Sequence, residues 1–249
     1  MSHEKGSEKL SRRSESLGWG VKREGRSLWT RNAVKGTSVR GERRKKEGRI
    51  EWRLWNPTKS KVAASILRTK QDPREIIPNP GSTCLYLGAS GGGTVSHIHD
   101  IVCGSGNHLS GQVVAVEISP RMTRDLASLS VNRSGLIPIM GDARKTEVIA
   151  PFIRSKADWI HQDLSITDQA ETFVNSIMHF LSDDGIGLLS LKAASERYFD
   201  GDVDSRFMKA EEVITSSELD LIERIDLRGL EEQHVVFICK LNQRIRGHN

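Results

Sequence analysis

From position 83 onward, short apolar runs alternate with longer stretches of helical periodicity. The runs Thr83–Leu87, 112–116, Leu136–Met140, 158–161 and 186–191 are nearly continuous in hydrophobicity, which predicts strands covered on both faces. Between them, 95–102 reads as a helix, and Ser119 caps another with Pro120 at its first position. Met122, Leu126 and Leu129 then recur at helical spacing. In 169–181 the apolar residues Ala170, Phe173, Val174, Ile177, Met178 and Leu181 mark one face of an amphipathic helix, with Asp168 at the predicted N-cap. This alternation predicts a parallel sheet with helices on both faces.

The alternation stops near the end of the sequence. Segments 219–227 and His234–Leu241 are both strand-like, with only six residues between them. No crossover helix fits there, so the pair must form an antiparallel hairpin. Upstream, tryptophans at 19, 29, 52 and 55 are interleaved with glycines at 18, 20, 25, 36, 41 and 48. That pattern predicts short strands and tight turns in a small β-rich subdomain, 17–55. Asn56 and Pro57 close it, and 61–70 reads as a short helix with Val62, Ile66 and Leu67 on one side. Residues 1–16 are polar and read as a disordered tail. The expected organisation is therefore tail, β-rich subdomain, and an α/β domain over 56–249.

Composition narrows the class. The 249 residues are 37% hydrophobic and contain no run of eighteen apolar residues, so no membrane span is expected. The first residues lack the apolar core of a secretory signal. Cys84, Cys103 and Cys239 form no CxxC pair, which suits a reducing, cytoplasmic compartment, with Cys84 and Cys239 as core residues of strands. The charge is uneven. Residues 1–50 carry 15 Lys and Arg against 6 Asp and Glu, and the remainder has a net charge of −4. The basic excess, densest at Arg40, Arg43, Arg44, Lys45, Lys46 and Arg49, points to nucleic acid or to a solubilising tail. Aromatic residues, at 5%, are too few for a platform that stacks single-stranded bases.

Candidate chemistry begins where the first α/β strand runs into Gly88-Ala89-Ser90-Gly91-Gly92-Gly93-Thr94. Such a loop lets a ligand approach backbone at a helix N-terminus. It is not GxGxxG, and the terminal hairpin is unlike a dehydrogenase domain. Glu117 ends the second strand, where a carboxylate can accept from both hydroxyls of a ribose. Asp142, beside Ala143, ends the third and can accept from an adenine amino group. Both acids would line the crevice at the C-terminal ends of adjacent strands. His97, His99 and His161 lack acidic or thiol partners at ligand spacing, so no metal site is expected.

Several longer stretches resemble one family. Residues 55–64, Trp-Asn-Pro-Thr-Lys-Ser-Lys-Val-Ala-Ala, are similar to the WNPxxSKLAA motif of fibrillarins. Residues 85–97 resemble their YLGAASGTTVSH loop, 115–121 their AVEFSPR, and 137–144 their IIPIxxDAR. The likeness runs from about Trp19 to Leu241, and the absence of a long glycine–arginine arm resembles the archaeal members. It implies a Rossmann-like methyltransferase fold using S-adenosylmethionine (SAM), held by Gly88, Ala89, Gly92, Thr94, Glu117, Asp142, Ala143 and Asp163. It further implies methylation of ribose 2′-oxygen in rRNA or tRNA. The partners implied are a Nop-family scaffold protein, a kink-turn-binding protein and a box C/D guide RNA. The family's Lys-Asp-Lys-His tetrad falls on Lys61, Asp163, Lys192 and His234. Departures are Gly91 and Gly93 for the common Ser and Thr, Gln233 for a common Asp, and a longer stretch between Val102 and Val113.

The tetrad makes chemical sense. A ribose hydroxyl needs a base, and two lysines converging on one pocket weaken each other's hold on a proton. Lys192, ending a strand beside the crevice, is the expected base. Lys61 would hold the hydroxyl, with Asp163 orienting both and His234 completing the hydrogen bonds. The alternatives are a stand-alone RNA or protein methyltransferase and a non-catalytic subunit of a ribonucleoprotein.

Overall fold

The computed structural model describes residues 14–196 and 202–242. Most of the expected tail, residues 1–13, lies outside them. Its last three residues form a strand, β1 (Ser14–Ser16), paired antiparallel with β2 (Val21–Glu24). β3 (Ser27–Arg31), β4 (Arg44–Glu47) and β5 (Ile50–Trp55) complete an antiparallel sheet in the order β1-β2-β3-β5-β4. The alternation in β5 is strict: Glu51, Arg53 and Trp55 point inward while their neighbours are half-buried.

Helix α1 (Lys61–Arg68) follows, its N-cap Ser60 accepting from the Ala63 N–H. The second sheet then begins. β6 (Thr83–Leu87), α2 (Gly93–Val102), β7 (Gln112–Glu117), α3 (Pro120–Ser130) and β8 (Leu136–Met140) build one half. A short α4 (Thr146–Ile149), β9 (Ala157–Gln162), α5 (Gln169–Phe180) and β10 (Leu181–Lys192) build the other. α6 (Val203–Thr215) leads to the hairpin β11 (Leu219–Asp226) and β12 (His234–Leu241). The sheet order is β11-β12-β10-β9-β6-β7-β8. β8 through β10 are mutually parallel and the hairpin is antiparallel, as the patterning predicts.

From β6 the chain steps outward to β7 and β8, then returns to the other side through β9. The switch point therefore lies between β6 and β9, where ligands bind in open parallel sheets. Two details differ from the sequence expectation. Asp168 stands at the start of α5 but adopts φ +58° and its side chain makes no cap hydrogen bond; only its carbonyl accepts, from Thr172. The backbone turns too sharply there for the carboxylate to reach the helix N–H groups. β10 also starts at Leu181, directly after α5, with a register shift before Ile186.

One apolar core fills the space between the small sheet, α1, α2 and one face of the large sheet, uniting Leu28, Trp55, Val62, Ile98 and Trp159. The other face carries Phe173 and Ile177 of α5 and Phe207 of α6. The small sheet docks through Arg53, which is fully buried. Its guanidinium pairs with Asp100 at 2.8 Å and Glu42 at 2.9 Å and donates to Ser96 at 2.8 Å. Glu42 lies below the usual carboxylate range: burial opposes ionisation, but the Val39 and Arg40 N–H groups and Arg53 outweigh it. His97 stacks on Trp55 with ring centroids 5.2 Å apart and hydrogen-bonds Thr30 at 2.6 Å. Among the described residues, no helix is long and apolar enough to cross a membrane.

Candidate active site

The loop leaving β6 is shaped by two glycines. Gly88 has φ +84°, and a β-carbon there would overlap the Asp163 carbonyl, so β6 and β9 exit the sheet in direct contact. Gly88 and Ala89 both donate to the Val116 carbonyl at 3.0 Å. Gly92, also at φ +84°, begins α2 with no side-chain cap, and a β-carbon there would overlap Leu129 of α3. Thr94 donates to Ser60 Oγ at 3.1 Å, and Trp55 Nε1 donates to the same atom at 2.9 Å. These bonds tie the glycine loop to the residue just before Lys61.

Glu117 ends β7 as expected. Each of its carboxylate oxygens takes one N–H, from Ser90 at 2.7 Å and Ser119 at 2.8 Å, which leaves lone pairs on both for further donors. Asp142 sits two residues past β8, beside the buried Ala143. Its oxygens meet Arg144 Nε at 3.0 and 3.1 Å, and that guanidinium holds the carboxyl below the usual range. A ligand amino group there would share the acceptor with Arg144. Sequence patterning passed over two neighbours. Ile118 is 65% exposed and Met140 61%, and Met140 pairs with Glu117 across β7 and β8. Large apolar side chains left open beside a carboxylate suit a flat heteroaromatic ring above a ribose.

The four expected tetrad positions fall in two pairs, Lys61 with Asp163 and Lys192 with His234. Lys61 Nζ meets Asp163 Oδ2 at 2.8 Å. Asp163 follows β9 directly, and its N–H donates to Leu87 at 2.8 Å, fixing it beside the glycine loop. Lys192 ends β10 directly opposite His234, which begins β12. The Lys192 side chain has no hydrogen-bond or ion-pair partner among the described residues. His234 donates from Nδ1 to the Glu232 carbonyl at 2.7 Å, leaving Nε2 as the acceptor. Burial pushes its pKa down; the Glu232 bond opposes this and Lys61 adds to it. Gln233, at φ +57°, turns the chain so that a backbone carbonyl orients the ring.

Two further residues hold this end of the sheet. β9 stops pairing with β10 at Gln162, three residues short of Lys192. The side-chain amide of the fully buried Gln169 takes over: Oε1 accepts from Lys192 N at 3.1 Å and Nε2 donates to Lys192 O at 3.1 Å. Nε2 also donates to Glu196 at 2.7 Å, and Gln162 donates to the Gln169 carbonyl at 2.8 Å. In sequence Gln169 reads as an ordinary polar residue of a first helical turn; only the register reveals its task. Tyr86 and His161 lie beneath the site with rings edge to face at 4.6 Å. Burial lowers the His161 pKa to about 4 and pushes the Tyr86 hydroxyl up.

The remaining histidines go to separate partners: His97 to Thr30, His99 to the Ser134 carbonyl, and His161 to Ser190. Among the described residues, no cluster of His, Cys, Asp or Glu could hold a metal ion. The cysteines are buried and unpaired.

Residues 15–243 match the family model described as Fibrillarin. The fibrillarin-like rRNA/tRNA 2′-O-methyltransferase of Methanocaldococcus jannaschii is 35% identical, covering 89% of this chain and 90% of that protein. Aeropyrum pernix fibrillarin, solved with natively bound S-adenosyl-L-methionine, is 27% identical with a TM-score of 0.75. The alignment covers 88% of this chain and 92% of that one. A fibrillarin chain solved as a fibrillarin/Nop5p complex is 28% identical with a TM-score of 0.72, over 86% of this chain and 94% of that one.

Proposed function

Because this chain belongs to the fibrillarin family, we propose that it is the catalytic subunit of a guide-RNA-directed ribose 2′-O-methyltransferase acting on rRNA or tRNA. The coarser activity is SAM-dependent 2′-O-methylation of RNA, and the residues present suit that cofactor. Glu117 keeps free lone pairs for a ribose diol, Ile118 and Met140 offer apolar cover for adenine, and the backbone of 88–94 passes close by. When bound, SAM supplies a methyl group on a positively charged sulfur, open to attack by an oxygen nucleophile.

The observation that carries the reading is the Lys61–Asp163 ion pair beside the glycine loop, with Lys192 and His234 facing each other at the neighbouring strand ends. Lys61 donates to the ribose 2′-oxygen and is held in place by Asp163. The unpartnered Lys192 amine takes the hydroxyl proton. His234, kept neutral by burial and oriented by Glu232, accepts a hydrogen bond at Nε2 and so positions the proton donor. Holding the oxygen within about 3–3.5 Å of its target carbon accounts for much of the rate such a site can give.

RNA selection lies outside the chain. Residues 51–249 have a net charge of −4, a weak surface for gripping a phosphate backbone. A Nop-family scaffold, as in the fibrillarin/Nop5p complex, together with a kink-turn-binding protein and a box C/D guide RNA, would bring the target to Lys192. The test is a methylation time course with and without scaffold, kink-turn protein and guide, at equal enzyme and SAM. Transfer only in the assembled particle is expected. Equal rates on free RNA would favour a stand-alone enzyme.

A further inference from the structure

A cavity of about 320 Å³ opens between the small sheet and the start of α2, with Ser60 and Thr94 in its wall. Three cations line it: Arg40, Arg43 and Lys59. None of the three has a carboxylate partner among the described residues. Glu42, the acid in the wall, is committed to Arg53 and to the backbone of its own loop. His97, also in the wall, is held neutral by burial, with Arg53 and Arg133 reinforcing the shift. The cavity thus gathers three cations one residue away from Lys61, with the Asp125 carboxylate beside the Arg40 guanidinium above Gly91 as the nearest acid outside its wall.

Arg40 is seated rather than free. A β-carbon at Gly91 would overlap its guanidinium, and a β-carbon at Gly93 would lie 3.7 Å from its Cγ. The two positions where the glycine loop departs from the family's Ser and Thr are therefore the two over which Arg40 lies. The Arg43 guanidinium itself lies over the face of Trp29, its Cζ 5.6 Å from the ring centroid. Lys59 stands on the Asn-Pro turn, its N–H donating to Asn56 at 3.1 Å. A planar fork, a second guanidinium and an ammonium around one opening match the oxygens of a phosphodiester.

We propose that this cavity binds a backbone phosphate of the substrate RNA strand next to the nucleotide being methylated. The inference rests on the functional reading above and names the contact that reading lacks: a phosphate anchor in the catalytic subunit itself. The glycines at 91 and 93 clear the space in which Arg40 can reach that phosphate.

The experiment compares wild type with an Arg40→Gln/Arg43→Gln/Lys59→Gln variant in the reconstituted particle, using a defined target RNA over a series of salt concentrations. SAM affinity is measured by calorimetry on the full chain. The variant is expected to bind SAM within about twofold of wild type. Its KM for target RNA should rise at least about tenfold, with a salt dependence shallower by about two to three in log–log slope, one per lost contact. Unchanged KM and slope in an active particle overturn the proposal. So does a tenfold loss of SAM affinity, which would assign the cavity to the cofactor's carboxylate. A wild-type particle inactive at every salt concentration contradicts the functional reading instead. Anisotropy with the full chain and the same RNA then decides the phosphate site by the same slope criterion.

Discussion

Asp163 has two tasks. Its carboxylate holds the Lys61 ammonium, and its backbone N–H donates to the Leu87 carbonyl, which ties the acid to the strand that enters the glycine loop. Asp163→Ala and Lys192→Ala should each lower single-turnover transfer by at least about 10²-fold, since the proposed chemistry needs Lys192 as the base and Asp163 to hold Lys61. SAM affinity should stay near wild type by calorimetry in Lys192→Ala; transfer near the normal rate in either variant would remove that residue from the chemistry. His161, beneath the site, gives a pH signature. Its native pKa of about 4 lies below the ordinary 6.5, so between those values the unfolded chain binds a proton that the folded chain refuses. Stability should therefore fall as pH drops through that window, by about 3 kcal/mol in all from this group. Urea unfolding at pH 7.5 and pH 5 measures most of it, and His161→Gln should shrink the difference by about 2 kcal/mol, leaving the part due to His97 and His234, whose pKa values burial also lowers. An equal drop in that variant would place the effect on other histidines.

At the scale of elements, the strands of the large sheet were legible because both faces are covered, which leaves uninterrupted apolar runs. The hairpin was legible because six residues exclude a crossover. α6 was not read, although Phe207, Ala210 and Ile214 share its buried face; Met208, Lys209, Glu211 and Glu212 between them mask the periodicity. The tetrad positions were read from motifs, whereas Gln169 could not be, since its role follows from where β9 stops. That role is testable. Gln169→Ala releases the Lys192 backbone and should lower kcat by about 10²-fold, the cost of roughly 1 Å of misplacement. SAM affinity should hold. Equal kcat in the Ala variant and wild type would reduce Gln169 to a packing residue.

Across the whole molecule, the basic N-terminal part and the acidic remainder are locked together rather than strung on a linker. Arg53 spans them, and neither its partners nor its burial shows in sequence, because Asp100 lies 47 positions away. Arg53→Met would leave Asp100 and Glu42 buried without their cation. A loss of about 3–5 kcal/mol in urea unfolding is expected, and a loss under about 1 kcal/mol would mean that the sheets associate by apolar packing alone. This locking also fixes Arg40 over the glycine loop, so the charge asymmetry seen in the sequence becomes a directed feature of the site.

The proposed function has these residues serve one oxygen atom, the ribose 2′-hydroxyl of the target nucleotide. The decisive measurement follows labelled methyl transfer from SAM, in the assembled particle, to two target RNAs that differ only in ribose or 2′-deoxyribose at that nucleotide. Label should enter the ribose RNA, be absent from the deoxy RNA, and disappear from both with Lys192→Ala. Comparable labelling of the deoxy RNA would show that the methyl group goes elsewhere, and that the Lys61–Asp163–Lys192–His234 constellation does not act on ribose.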